Sequence, residues 1–194
     1  MGANTDSEEP ATSVAGSCRL REPLSPWTAP LPPRAHWAGV RPFRFEYSSR
    51  GDRVPGLLLL PDGRRGPFPL VLLQHGAGGS KESEYLDAAR LPWVRGGVAV
   101  ASIDLPLHGE RASAKLTEIL LGELAGLRGT ERHQALALWE SFALQALHDL
   151  ARALDALAPH PELDAERSAF AGFSLGAILG ALYCAREPRL GAAA

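Results

Sequence analysis

The sequence predicts an α/β fold in which an antiparallel hairpin is followed by parallel βαβ units, giving a three-layer sandwich. Alternating apolar and polar residues over Phe43–Tyr47, a turn, and a second run over Val54–Leu60 indicate the hairpin. Short apolar runs further along are typical of strands buried on both faces, which occur in parallel sheets covered by helices. Helical sequence separates these runs, as a βαβ arrangement requires.

The elements after the hairpin alternate between strand and helix. Apolar runs predict strands at residues 69–74, 97–104 and 168–172. Helices are expected from Lys81 to about Arg95, from Ala112 to about Leu127, from Thr130 to the proline at 159, and from Leu175 to about Arg186.

The longest predicted helix follows Thr130, its expected N-cap, and carries apolar residues at spacings of three and four. The stripe comprises Leu136, Trp139, Ala143, Leu147, Leu150, Leu154 and Leu157. Such a stripe predicts one buried face, so we expect Trp139 to lie in the core rather than in a ligand site.

Composition limits the possible functions. The chain has 194 residues, of which 45% are hydrophobic and 22% charged, as is typical of a soluble globular protein. The net charge of −2 is too small to indicate nucleic-acid binding, which needs a concentrated excess of Lys and Arg. Cys18 and Cys184 lack metal-ligand spacing, so we expect neither a metal site nor redox chemistry. With no recognisable signal peptide or spanning segment, we expect a cytoplasmic protein without membrane contact.

The chain is expected to have two parts. Residues 1–40 are rich in proline and form a tail or lead-in, and residues 41–194 form the folded domain. Trp27 and Trp37 are unusual for a linker and indicate that the second half of the lead-in packs on the domain.

The clearest chemical motif is the GxSxG pentapeptide at residues 172–176. It follows a predicted strand and opens a predicted helix, which is the setting of a nucleophile elbow, a strained turn that exposes its serine at the carboxyl edge of a sheet. The glycines at 172 and 176 relieve crowding at such a turn. Ser174 is therefore the candidate nucleophile. The alternative is an ordinary turn with Ser174 as a helix N-cap.

A second motif, His75-Gly-Ala-Gly-Gly79, directly follows the predicted strand at 69–74. A glycine-rich turn there can direct backbone N–H groups into a cavity, where they stabilise an oxyanion. A phosphate loop is excluded by spacing: the order Gly79-Ser80-Lys81 is not that of a Walker motif, and a dinucleotide fingerprint would need glycine at Lys81.

A third motif, running from Asp104 through His108 to Arg111, follows the strand at 97–104. Asp104 and His108 could form a general acid/base pair, but a structural Asp with a loop-organising His is the favoured interpretation. The other histidines outside the glycine-rich turn are expected on the surface or on helix faces: His36, His133, His148 and His160.

These motifs and their order resemble the α/β-hydrolase superfamily, in its dienelactone-hydrolase and prolyl-oligopeptidase-like branch, over about residues 41–194. The resemblance implies that Ser174 is the nucleophile and that the oxyanion hole uses the N–H groups of Leu175 and Ala77, with Gly78 as the alternative to Ala77. It further implies a serine hydrolase, an esterase or a peptidase-like enzyme, that acts on carboxylesters or other small acyl substrates without a cofactor.

The sequence departs from that family after the elbow. The family's triad acid and histidine follow the nucleophile, whereas here no histidine follows Ser174 and Glu187 is the only later acid. The family's last strands are also missing, and residues 190–194 resemble the start of the next strand. We therefore expect an incomplete chain with little esterase activity of its own, in which the strand at 168–172 is an unpaired edge with Phe170 uncovered. A non-catalytic binding domain or an inactive truncated product is the alternative, and the oligomeric state is left open.

Overall fold

The computed structural model describes residues 22–117 and 131–194, with side chains in the second stretch described from residue 136. The strands are β1 (Trp27–Pro30), β2 (Val40–Ser49), β3 (Asp52–Pro61), β4 (Phe68–Gln74), β5 (Ala99–Ile103), β6 (Leu163–Gly172) and β7 (Leu190–Ala193). The helices are α1 (Asp87–Arg95), α2 (Glu131–Leu157) and α3 (Leu175–Cys184). Short 3₁₀ turns lie at Ala35–Trp37, Glu84–Leu86 and Gly109–Arg111.

Within the described residues these strands form one sheet in the order β1-β2-β3-β5-β4-β6-β7. Strands β1, β2 and β3 pair antiparallel, and β3 pairs antiparallel with β5. Strand β4 is parallel to both β5 and β6, and β7 is parallel to β6. The predicted hairpin and the parallel units that follow it are confirmed, and the carboxyl ends of β4, β5 and β6 lie at one edge of the sheet.

The sheet is covered on both faces because its central strands alternate between two cores. On β3, Leu58 and Leu60 pack with α2 and α3 on one face, while Leu57 and Leu59 pack with α1 and Trp37 on the other. All four leucine side chains are buried, so the second strand of the predicted hairpin is covered on both faces. The three-layer α/β sandwich is confirmed.

The lead-in contributes to this arrangement. Strand β1 pairs with β2, and Trp37 is buried in the core against α1, where its Nε1 donates to Asp87 Oδ2 at 3.1 Å. Trp27 is 49% exposed. The second half of the Pro-rich segment therefore packs on the sheet as expected, through Trp37 rather than Trp27. The boundary at residue 40 stays a prediction.

Two helix predictions need correction. The helix expected from Lys81 begins only at Asp87, because the amide and the ammonium of Lys81 both donate to Asp104 and hold the preceding segment as a turn. Leu136, expected on the buried stripe, is 54% exposed. Trp139 packs, partly buried, against the cluster that contains Phe142.

Some predictions lie outside the described residues. The helix expected from Ala112 falls mostly within residues 118–130, which are not described, and so do its predicted end at Leu127 and the N-cap at Thr130. Cys18 also lies outside, and the side chain of His133 is not described.

The expectation about the last strand is corrected. Residues 190–193 do form strand β7, but β7 pairs with β6, so the strand at 168–172 is not an edge. Phe170 is only 3% exposed because it packs edge-to-face on Tyr183 of α3, with ring centroids 5.5 Å apart. Helix α3 supplies the cover that the sequence argument had assigned to later strands.

Candidate active site

Ser174 lies in a sharp turn between the end of β6 and the start of α3. Its backbone has φ +49° and ψ −114°, a conformation that is strained for any residue with a side chain. The side chain is exposed and makes no capping hydrogen bond to the helix. The geometry is that of a nucleophile elbow rather than of an ordinary side-chain N-cap.

The glycines on either side of Ser174 are required by close backbone contacts. A Cβ on Gly172 would lie 2.6 Å from the carbonyl carbon of Gly176. A Cβ on Gly176 would lie 2.7 Å from the carbonyl oxygens of Gln74 and His75, at the end of β4. The GxSxG pattern therefore reflects the tight approach of α3 to two strand ends, which no larger residue permits.

The glycine-rich turn after β4 lies directly against the elbow. A Cβ on Gly76 would be 3.2 Å from the Cβ of Ser174, and the amide of Phe173 donates to the Gln74 carbonyl at 3.0 Å. Gly78 has φ +74°, and the Gly79 amide closes the turn on the Gly76 carbonyl at 3.1 Å. The structure thus brings together the two motifs that the sequence analysis selected.

The predicted oxyanion donors have free amides within the described part of the chain. Leu175 is the first residue of α3, so its N–H has no partner inside the helix. Neither this amide nor that of Ala77 has a hydrogen-bond acceptor among residues 22–117 and 131–194, and the same holds for the alternative, Gly78. The Gly76 amide, in contrast, donates to the Tyr85 hydroxyl at 2.8 Å. The geometry permits Ala77 and Leu175 as donors, and their role stays a prediction.

His75 is fully buried and works as a structural link. Its Nε2 accepts from the Leu105 amide at 3.2 Å, so Nδ1 carries the proton and donates to the Gly76 carbonyl at 2.8 Å. Burial lowers the pKa of His75 to about 4. The ring is therefore neutral near pH 7, and both of its nitrogens are occupied.

The turn after β5 is organised by buried charges. Asp104 is fully buried and accepts hydrogen bonds from the Lys81 amide, the Lys81 ammonium and the Glu110 amide. Lys81 also binds Glu110 at 2.6 Å, and the hydrogen bond from Arg44 is the main cause that lowers the pKa of Glu110 to about 2. Asp104 makes no hydrogen bond to His108, whose Nδ1 lies 2.8 Å from the Pro106 carbonyl. The favoured interpretation, a structural Asp104, is confirmed, and the proposed acid/base pair is not formed.

Comparison with known proteins assigns the family. The profile of the acetyl xylan esterase (AXE1) family matches residues 31–194. The chain belongs to this family. A search of curated proteins gave no match.

Solved structures similar to this family member have the same fold. An acetyl xylan esterase from Paenibacillus sp. R4 superposes with a TM-score of 0.69 at 21% identity, covering 92% of this chain and 55% of its own. Acetyl xylan esterase 1 from Thermoanaerobacterium gives 0.63 at 16% identity, covering 93% and 54%. A protein from Klebsiella pneumoniae assigned to the dienelactone hydrolases gives 0.54 at 19% identity, covering 87% and 58%. The chain spans about half the length of these proteins.

No base is hydrogen-bonded to Ser174 in the part of the chain that the structure describes. Within residues 22–117 and 131–194, no histidine or carboxylate hydrogen-bonds to Ser174. His36 pairs with Asp87, and His160 accepts from the Glu162 amide beside the ring of Phe43. No group of His, Cys, Asp or Glu side chains in these ranges is arranged to hold a metal, and none of their helices is long and apolar enough to cross a bilayer.

Sequence reasoning missed the contribution of Lys81 and Tyr85. Both lie in a segment that was expected to be helical, yet Lys81 is a buried partner of Asp104 and Tyr85 contacts the glycine-rich turn. The available signal for Lys81 was the acidic residues of the turn after β5, which need a cation when they are buried. No pattern in the sequence indicated Tyr85.

Proposed function

We propose that this AXE1-family protein is a serine carboxylester hydrolase whose nucleophile is Ser174. The observation that carries the proposal is the exposed side chain of Ser174 on a strained elbow at positive φ, set directly against a glycine-rich turn. The family is named for an esterase, which supports hydrolysis of carboxylesters over hydrolysis of peptides.

The reaction follows from the position of these groups. Ser174 Oγ attacks the ester carbonyl, forming a tetrahedral intermediate whose oxygen carries negative charge. The amides of Ala77 and Leu175 donate to that oxygen, and the positive end of the α3 dipole lies beside it. The C–O bond then breaks, the alcohol leaves with a proton, and water hydrolyses the acyl-serine. A histidine with an acidic partner must take the proton from the Ser174 hydroxyl and give it to the leaving alcohol, and no such pair contacts Ser174 in the described part of the chain.

The proposed substrate is a small molecule with a short acyl group, acetyl foremost. Two of the similar structures are acetyl xylan esterases by name, which supports acetyl esters as the first compounds to test. A site for nucleic acid or membrane is not part of the proposal, and the cytoplasmic location stays a prediction.

The test compares Ser174→Ala with Ser168→Ala in the protein expressed with any sequence that follows residue 194 in the gene. Ser168 lies within β6, where its buried hydroxyl donates to the Ala165 carbonyl, so it is not part of the elbow. With p-nitrophenyl acetate, we expect Ser174→Ala to lower kcat by roughly 10⁴-fold or more, and Ser168→Ala to change it by less than about threefold. Activity that survives Ser174→Ala would refute the nucleophile, and an inactive parent protein would favour the non-catalytic binding domain.

A further inference from the structure

Tyr85 stands beside the proposed oxyanion hole without belonging to it. We propose that Tyr85 is a positioning residue that orients the glycine-rich turn, so that the Ala77 amide can donate to the substrate; this inference rests on the proposed function. Tyr85 lies in the 3₁₀ turn at Glu84–Leu86, and its hydroxyl accepts the Gly76 N–H at 2.8 Å.

The peptide groups around Gly76 are held from both sides. The Gly76 N–H is bound by Tyr85, while the Gly76 carbonyl accepts from His75 Nδ1 at 2.8 Å and from the Gly79 amide at 3.1 Å. In a trans peptide the N–H points away from the carbonyl of the preceding residue. The Ala77 N–H is thereby directed opposite to the side on which His75 and Gly79 hold the Gly76 carbonyl, and it is left free for a ligand.

Tyr85 also links this turn to the elbow. Its ring packs edge-to-face against Phe173, the residue before Ser174, with centroids 5.7 Å apart. The turn fits closely around the hydroxyl, because a Cβ on Gly79 would lie 2.7 Å from it. Tyr85 is 46% exposed, so a core-packing role does not account for these contacts. One side chain therefore contacts both the residue before the proposed nucleophile and the residue before one of its proposed oxyanion donors.

The kinetic test is Tyr85→Phe, which removes the hydroxyl and keeps the ring. Tyr47→Phe is the matched control, because it removes a hydroxyl that donates to the Asp149 carbonyl at 2.6 Å in the core. In the protein expressed with any sequence that follows residue 194 in the gene, we expect Tyr85→Phe to lower kcat roughly 10–100-fold, with KM within about threefold. Binding of a boronic-acid transition-state analogue should weaken by the same factor as kcat/KM. Tyr47→Phe should lower Tm and leave kcat within about threefold. An unchanged kcat in Tyr85→Phe overturns the inference.

Amide hydrogen exchange tests the contact independently of catalysis. In the 194-residue protein, NMR should show the Gly76 amide exchanging at least about tenfold faster in Tyr85→Phe than in the parent, with the Ala77 resonance shifted, while Tyr47→Phe leaves both unchanged. An unaltered Gly76 exchange rate contradicts the positioning role. Failure of the proposed function would instead appear as activity that persists in Ser174→Ala, so the two failures are distinguishable.

Discussion

The turns after β4 and β6 differ from the turn after β5, although all of them lie at the same edge of the sheet. After β5, the carboxylate of Asp104 is surrounded by donors from Lys81 and from the Glu110 amide. After β4 and β6, the Ser174 hydroxyl and the Ala77 amide have no partner within the described residues. A polar motif at a strand end is therefore structural when its groups are hydrogen-bonded within the protein, and it is a candidate reactive site when they are left free for a ligand.

We expect the largest change in the free energy of unfolding at the turn after β5, where the buried charges are paired. Lys81→Met leaves the buried Asp104 carboxylate without its cation, so we expect the free energy of unfolding to fall by about 3–5 kcal/mol. Lys115→Met is the control, since Lys115 is exposed and has no ion pair with any described residue. Urea denaturation of both variants measures the difference. A loss below about 1 kcal/mol in Lys81→Met would show that the Asp104 cluster does not depend on this ion pair.

His75 joins the two regions and should make their stability pH-dependent. Its pKa is about 4 in the folded protein and about 6.5 in the unfolded chain, so the unfolded state binds more protons as the pH falls through this interval. Stability is fully present above pH 6.5 and falls by about 2–3 kcal/mol between pH 7.5 and 4.5 because of this group.

The contribution of His75 is isolated by comparing the parent protein with His75→Asn. The asparagine keeps a donor near the Gly76 carbonyl and does not titrate. His148 and His160 also have lowered pKa values because of burial, so both proteins retain part of the pH dependence. Denaturant unfolding of the two proteins at pH 7.5 and 4.5 should give a smaller loss in the variant. Equal losses would mean that His75 is not buried as a neutral ring.

Gly176→Ala tests the close approach that creates the elbow. The added Cβ would lie 2.7 Å from backbone oxygens, which cannot move as a side chain can, so we expect a loss of about 1–3 kcal/mol. Gly191→Ala is the matched control, because the nearest atom to its Cβ would be an ordinary 3.8 Å away, and its effect should stay within about 0.5 kcal/mol. Equal Tm values for the two variants would show that α3 can shift without cost.

The smallest change in stability is expected from backbone strain at Leu107, in the turn after β5. Leu107 has φ +61° in a turn closed by the His108 amide on the Leu105 carbonyl at 3.1 Å. Glycine tolerates this conformation and alanine does not, so Leu107→Gly should be more stable than Leu107→Ala by about 1 kcal/mol, the reverse of the usual order. Thermal unfolding of this pair checks the sign. An alanine variant that is the more stable of the two would mean that the turn relaxes to negative φ.

The sequence allowed the local parts of the fold and of the candidate site to be predicted, and it failed on contacts between distant segments. Apolar alternation located β2, and apolar runs located β3, β4, β5 and β6. Glycine spacing located the elbow and the turn after β4. The late start of α1 and the position of Tyr85 depend on contacts of Lys81 with Asp104 and of Tyr85 with Gly76. Phe170 was misjudged because its cover comes from Tyr183, a helix residue whose orientation no strand pattern reveals.

Ser174 is the one serine that we propose to be activated at this edge of the sheet, and covalent labelling of the active serine is the decisive test. The protein, expressed with any sequence that follows residue 194 in the gene, is treated with a fluorophosphonate, digested, and analysed by mass spectrometry. We expect a single adduct, on the peptide that carries Ser174, that is lost in Ser174→Ala and retained in Ser168→Ala. An adduct on another serine, or labelling that persists in Ser174→Ala, would contradict it.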